Sequence, residues 1–246
     1  FLRDGSNGIA SVPSGESTGL YEAKALKATK AISKVNKIIN KELIGKTVNQ
    51  RIVDELMLKL DGTNNKSNLG ANALLSVSLA FARAAAKAND EELYRYIART
   101  SNIRNFALPI PFFNILNGGR HAKNKLKIQE FMIAPIKAKS FLEAMNIAKT
   151  TFKALKKIVS KKYGSSHLTL GDEGGFAPPI NKSEEALDLL MEALEKSCNL
   201  KKTSIAIDAA ASEFYNKGVY HLEKNMSSEQ LMNYYLELID EYPIVS

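Results

Sequence analysis

The run Gly171-Asp172-Glu173-Gly174-Gly175-Phe176-Ala177-Pro178 sets two adjacent carboxylates in a tight loop after a short apolar stretch, with glycines that let backbone approach a ligand. Adjacent acids in such a loop can have their titrations pushed apart, which suits general acid/base work; an acidic surface turn has the same composition. Asp208 ends the apolar run Ser204-Ile205-Ala206-Ile207. A carboxylate at the C-terminal end of a barrel strand faces the active-site mouth, where its hard oxygens suit Mg²⁺; capping the next segment is the plainer use. Glu130 stands in Ile128-Gln129-Glu130-Phe131-Met132-Ile133, where an unpartnered charge is costly, so an ion pair or a function must justify it. His121 follows the turn Asn117-Gly118-Gly119-Arg120 directly after a strand pattern, a position for a substrate contact, a proton carrier or an inert loop histidine. His167 and His221 have no carboxylate at a recognisable spacing and read as structural. The segment 13–19 has the composition of a phosphate cradle but lacks a Gly-Lys-Ser/Thr ending, and a lid fits it equally. The chain has no GxGxxG fingerprint, no Cys/His metal cluster and no Gly-x-Ser-x-Gly elbow.

These residues need a scaffold, and the apolar spacing supplies one. Residues 1–19 are turn-rich, with 9–12 expected as a short strand. Ile32, Val35, Ile38, Ile39 and Leu43 form a one-sided stripe that predicts a helix over 30–43. Further helices are predicted over 49–60, 70–87 and 91–98; the third is apolar nearly all round, which implies burial on several faces. From Pro109 the pattern alternates: strands 110–116 and 128–135, helix 141–161, strand 168–170, helix 183–195, strand 205–208, a hairpin over 213–222 turning at Asn216-Lys217-Gly218, and helix 228–241. Such alternation predicts α/β architecture with a parallel core. Two domains follow, 1–105 and 106–246.

Composition bounds the partners. The 246 residues are 45% apolar and 24% charged, ordinary for a globular chain. The most apolar stretch, 69–86, is interrupted by Asn72, Ser76, Ser78 and Arg83, so it reads as a buried helix and no membrane span is expected. Cys198 is alone and no export signal opens the chain, so a reducing cytoplasm is expected. The formal charge is +8, carried by seven arginines against twenty-seven lysines. Base and phosphate forks favour arginine, so nucleic acid is not the expected partner.

Taken in order, Ala10-Ser11-Val12-Pro13-Ser14-Gly15, Ser17-Thr18-Gly19, LGANALLSVSLAFARAAA from Leu69, FNILNGGRHA from Phe113, IQEFMIAP from Ile128, GDEGGFAP from Gly171 and IDAAASEFY from Ile207 resemble enolase, over the whole chain. The resemblance implies a smaller α+β domain followed by a modified TIM-type α/β barrel, of which 106–246 would be the first half. It implies a lyase that reversibly dehydrates 2-phosphoglycerate to phosphoenolpyruvate in glycolysis and gluconeogenesis, with two Mg²⁺ per site, as a cytoplasmic homodimer. Abstracting a proton beside a carboxylate builds a doubly charged enediolate, and metal ions supply the compensating charge; the pairing of a lysine or histidine base with Mg²⁺ in enolase-superfamily sites is established chemistry. By motif, Glu173 resembles the acid that protonates the departing hydroxyl, and Asp208 one carboxylate ligand of the first Mg²⁺. Ser17 resembles the lid serine that reaches the second. His121, Gln129 and Glu130 resemble residues around the substrate and its leaving hydroxyl, and Asp172 is expected to orient Glu173.

The chain departs from the family pattern in several places. Glu16 stands where alanine is usual, and Arg120 where a small residue is usual, with Lys123 and Lys125 after it. The segment after Tyr21-Glu22-Ala23 is shorter by about ten residues. The chain begins at Phe1 and ends at Tyr242-Pro243-Ile244-Val245-Ser246, before the family's remaining metal carboxylates, base lysine and phosphate-binding groups. An incomplete stretch of a full enolase is therefore expected, with a truncated, non-catalytic binding protein holding surface protein ligands as the alternative.

Overall fold

In the computed structural model, which describes residues 1–15, 18–46 and 49–246, the chain divides into two units, Phe1–Ala107 and Leu108–Ser246. Among the described residues the regular structure of the first unit is helical. Helices α1 (Ala28–Lys34) and α2 (Asn40–Leu43) are joined without a break by a π turn, Val35–Ile39, and α3 (Gln50–Asp61), α4 (Ala71–Ala88) and α5 (Leu93–Thr100) follow. The wider π turn rotates the predicted stripe, so that Ile39 is buried while Ile32 stands exposed. Asn49 caps α3 by accepting from the Ile52 N–H at 3.0 Å, and left-handed Gly62 ends it. Helix α4 buries Ala73, Leu74, Ala82, Ala85 and Ala86, whereas Leu75 and Leu79 remain exposed, so its apolar circumference is only partly covered.

Residues 9–12 form no strand, because no neighbouring strand offers them a ladder among the described residues. The segment lies instead along α4. Arg83 Nη1 donates to the Ile9 carbonyl at 2.6 Å, and a Cβ at Gly8 would come closer than 3.0 Å to the Ala80 carbonyl and the Ala84 amide.

Asp61, at the end of α3, is buried and accepts from the Leu69 N–H at 2.7 Å, from the Thr63 N–H at 3.0 Å and from the Thr63 hydroxyl. Burial alone would raise its pKa, but these donors outweigh burial and hold the carboxyl below its ordinary value of 3.8. A depressed folded pKa contributes stability that is present above the ordinary value and lost as pH falls through the folded one. Replacing Asp61 by Ala is expected to cost about 1–3 kcal/mol in urea unfolding at pH 7, because the Leu69 N–H loses its acceptor. The penalty should shrink below pH 4; one that stays constant with pH would argue against the ionised carboxylate.

In the second unit Pro109 and Pro111 cannot donate to a ladder, and β1 begins only at Phe113 (Phe113–Asn117). It is followed by β2 (Glu130–Ala134), α6 (Phe141–Tyr163), α7 (Ser183–Lys196), β3 (Ser204–Asp208), β4 (Tyr215–Asn216), β5 (Val219–His221), β6 (Asn225–Met226) and α8 (Ser228–Glu241). The predicted strand 168–170 is reduced to one bridge, between Leu170 and Phe176. The hairpin turns on two residues, Lys217 and Gly218, both left-handed, and β6 adds a third strand to it.

The expectation of a parallel core is corrected by the first sheet. Its order is β1-β2-β3 with both pairs antiparallel. Alternation in sequence orders the elements but not their direction, and the link 118–129, which holds no α-helix, lets β2 return antiparallel. Parallel pairing appears at the sheet's two edges, where Phe176 bridges Leu116 and Ile244 bridges Ile205. Phe131, Ile133, Ile205 and Leu116 pack with Leu155, Ile158 and Val159 of α6 and Leu187, Leu190 and Leu194 of α7 in one apolar cluster. Phe176 stacks on Phe152 of α6 at 4.5 Å, which seats the end of the loop 171–176 beside β1.

Candidate active site

Strand pairing builds the site. Residues opposite one another in a ladder project to the same face, as do residues i and i+2 of one strand. Asn117 pairs with Glu130 and Glu130 with Asp208, so these three form one row across the sheet. Asn114, Met132 and Ala206 form the next row of the same face. Asn114 and Asn117 are three apart, and simple alternation would put them on opposite faces. They share one because Ile115 is an extra residue, a β-bulge between the Asn114–Met132 and Leu116–Phe131 pairs. The other face carries Leu116, Phe131 and Ile207, so the sheet's acids and strand amides all lie on the face that also holds Met132 and Ala206.

Two loops bring the remaining groups to this face. The 3₁₀ turn Gly119–His121 follows β1, and its His121 is buried. Loop 171–175 is held against that turn: the Asp172 N–H donates to the His121 carbonyl at 3.0 Å, and the Asn117 N–H donates to the Phe176 carbonyl at 2.9 Å. Glycine is required at the contact, since a Cβ on Gly175 would come closer than 3.0 Å to the Asn117 side chain and the Leu116 amide. The structure thus converges His121, Glu130 and Glu173, with one ligating atom from each lying within 4.8 Å of the others. His121 Nδ1 is 3.3 Å from Glu173 Oε1 and 3.9 Å from Glu130 Oε1. Among the described residues neither of its buried ring nitrogens has a hydrogen-bond partner, which leaves both available to a ligand.

Of the other expected residues, Asp208 is exposed at the end of the row, its Oδ1 accepting from the Ala210 N–H at 3.0 Å. Gln129 is buried, and its backbone joins the ladder: its N–H donates to the Asp208 carbonyl and its carbonyl accepts from Gly118. Ser17 and Glu16 lie outside the described residues. The hydrogen bond that orients Glu173 comes from Asn114, whose Nδ2 donates to Oε2 at 3.0 Å, and the expected orienter Asp172 contributes its backbone to His121 instead. Sequence reasoning missed Asn114 and Asn117; the available signal was a pair of amides inside the otherwise apolar strand Phe113–Asn117. Arg120 extends toward Glu213, 3.8 Å away, and Lys123 and Lys125 line a cavity of about 570 Å³ with His167.

The carboxylates share a proton. Burial first, then the hydrogen bond and like charge of Glu173 and the charge of Asp208, push the Glu130 carboxyl from 4.5 up to about 8. Glu173 moves below its ordinary value, chiefly because Glu130 donates to it, with Asn114 and His121 beside it. Two acids this close retain one proton between them at neutral pH, and it belongs to the pair. A raised folded pKa contributes stability that is complete below about 4.5 and is lost as pH rises through about 8. With a chelator present, Glu130→Gln is therefore expected to match the wild type at pH 5 and to be more stable at pH 9. Each pKa unit is worth about 1.4 kcal/mol, so realising even half of this shift gives about 2 kcal/mol. Parallel stability–pH curves for the two proteins would contradict the shared proton.

Mg²⁺ prefers oxygen donors and binds through one or two carboxylates while keeping waters and substrate oxygens. Asp208 fits that role, since only one of its two oxygens accepts from Ala210 and the side chain is open to solvent. The His121 imidazole, a nitrogen donor, suits Mg²⁺ poorly.

Residues 105–246 match the family model of the enolase C-terminal TIM barrel domain, and residues 1–97 match that of the enolase N-terminal domain. The chain belongs to the enolase family. It is 46% identical over 251 residues to the enolase of Methanocaldococcus jannaschii, covering 97% of this chain and 59% of that protein. It is 49% identical over 253 residues to the enolase of Methanosarcina barkeri (97% and 58%), and 48% identical over 250 residues to that of Methanothrix thermoacetophila (97% and 59%). The chain spans somewhat under three fifths of the length of these curated relatives. Within the enolase framework it carries the N-terminal domain and part of the barrel, and the three-stranded sheet with its two parallel edge bridges is that part. Among the described residues no helix is long and apolar enough to cross a membrane.

Proposed function

We propose that the protein acts as an enolase, dehydrating 2-phosphoglycerate reversibly to phosphoenolpyruvate. The observation that carries this reading is the convergence of His121 and Glu173, from two loops, on Glu130, which pairs with Asp208 in the sheet. Glu173 and Glu130 together hold one proton at neutral pH, and Glu173 passes it to the departing hydroxyl. His121, buried with unbonded nitrogens, contacts the substrate, and Gln129 and Glu130 belong to the substrate-binding set with it. Asp208 would hold the first Mg²⁺, and Ser17 would reach the second when its segment closes on the substrate. Bound Mg²⁺ supplies positive charge to the substrate carboxylate as the proton beside it is removed. In this reading the base, two further metal carboxylates and the phosphate-binding groups come from the part of the relatives' length that these residues do not span. A glycolytic role in the cytoplasm and a homodimer belong to the same proposal.

The test is formation of phosphoenolpyruvate from 2-phosphoglycerate by the purified natural protein, followed by its ultraviolet absorbance with and without Mg²⁺, alongside the protein's intact mass. Mg²⁺-dependent turnover from a protein of the relatives' size is expected. A mass near 27 kDa with no turnover would favour the non-catalytic binding protein.

A further inference from the structure

The two oxygens of Glu173 are not equivalent. Oε1 lies 3.3 Å from His121 Nδ1, and Oε2 accepts from Asn114 Nδ2 at 3.0 Å. An oxygen that already accepts a hydrogen bond from an amide is the poorer place for a proton, because the N–H stabilises negative charge on it and lowers its basicity. Asn114 reaches Glu173 from a strand rather than from the acid's own loop, and does so only because the bulge at Ile115 turns it to the site face. Its own Oδ1 is buried without a hydrogen-bond partner among the described residues. An amide kept in that setting, one oxygen unsatisfied, is better explained by what its nitrogen does than by strand stability.

We propose that Asn114 is a positioning residue for the acid step: it occupies Oε2 of Glu173 and so confines the transferable proton to Oε1, the oxygen facing His121. This rests on the enolase reading above. In the dehydration direction the electron pair of the enediolate forms the C2–C3 double bond and the C3–O bond breaks. The one proton that Glu130 and Glu173 hold between them moves onto Oε1, the departing hydroxyl takes it from there and leaves as water, and both acids are left as carboxylates, with Oε2 of Glu173 still held by Asn114. Asn114 itself gains and loses no atom. Its work is to keep the carboxyl in one rotamer with one oxygen loaded, and small misplacements of a reacting group are expensive in rate.

Two variants of the natural protein test this. Asn114→Ala removes the donor, and Asn114→Asp keeps the shape while replacing the donor with an acceptor. Each is expected to lower kcat by about 10–100-fold with KM within about twofold of wild type. Both are expected to keep exchanging the C2 hydrogen of 2-phosphoglycerate with deuterated water, read by NMR, because that step does not use Glu173. Loss of exchange together with turnover would overturn the proposal, since a collapsed site loses both. A raised KM with unchanged kcat would overturn it as well, and if Asn114→Ala does not fold, Asn114→Asp decides alone. Wild-type protein that neither turns over nor exchanges would overturn the enolase reading itself.

Discussion

Replacing Glu173 by Gln is expected to lower turnover of 2-phosphoglycerate by about 10²–10⁴-fold while leaving Mg²⁺ affinity close to wild type. Gln keeps the length and the acceptor that Asn114 Nδ2 binds at 3.0 Å, so the loop should stay in place. What it loses is the capacity to carry a proton to the leaving group, and an interaction used only in the transition state lowers kcat and kcat/KM together. Metal affinity should be spared because the carboxylate proposed to hold Mg²⁺ is Asp208, which is tied to the Ala210 N–H rather than to Glu173. The same change has a second signature. Glu173 is the main charge acting on Glu130 after burial, so Glu130 should titrate lower in Glu173→Gln than in the wild type. Steady-state kinetics, Mg²⁺ titration by calorimetry and carboxyl NMR read the three effects separately. Unchanged turnover would remove Glu173 from the acid role, and a large loss of Mg²⁺ affinity would make it a metal ligand instead.

The largest expected change in stability comes from β2, on the face opposite Glu130. Phe131 is fully buried on central β2, paired with Leu116 of β1 on one side and Ile207 of β3 on the other. Phe131→Ala removes most of a ring from a site closed in by both neighbouring strands, and such truncations cost about 3–5 kcal/mol. That is a large share of the roughly 5–15 kcal/mol by which a domain is stable. Because Glu130 is the next residue, the row Asn117–Glu130–Asp208 should loosen with it, and activity should fall even where the protein remains folded. Leu142, 70% exposed at the start of α6, is the control, and Leu142→Ala should stay within about 0.5 kcal/mol. Urea unfolding of both variants checks this, and a Phe131→Ala loss below about 1 kcal/mol would mean that the sheet is not the rigid support of the site.

The sequence by itself determined which segments would be helices. Stripes at helical spacing and end signals such as Asn49 and Gly62 act over a few residues, and α3, α4, α6, α7 and α8 fall close to where that spacing puts them. Its longer motifs also determined the family, since the runs around His121, Glu130, Glu173 and Asp208 are specific as strings. Direction and facing were decided by the tertiary structure. Nothing in 110–135 says that β1 and β2 run antiparallel, because pairing is a relation between segments and not a property of either. Nor does alternation reveal that Asn114 and Asn117 share a face; the bulge that permits it exists only when β1 is laid against β2. The proton shared by Glu130 and Glu173 is likewise a consequence of two carboxyls 43 positions apart in sequence meeting in a partly buried site. Local chemistry chose the elements and singled out the candidate groups, and long-range packing set which oxygen faces which nitrogen, because burial and distance are defined only in the folded chain.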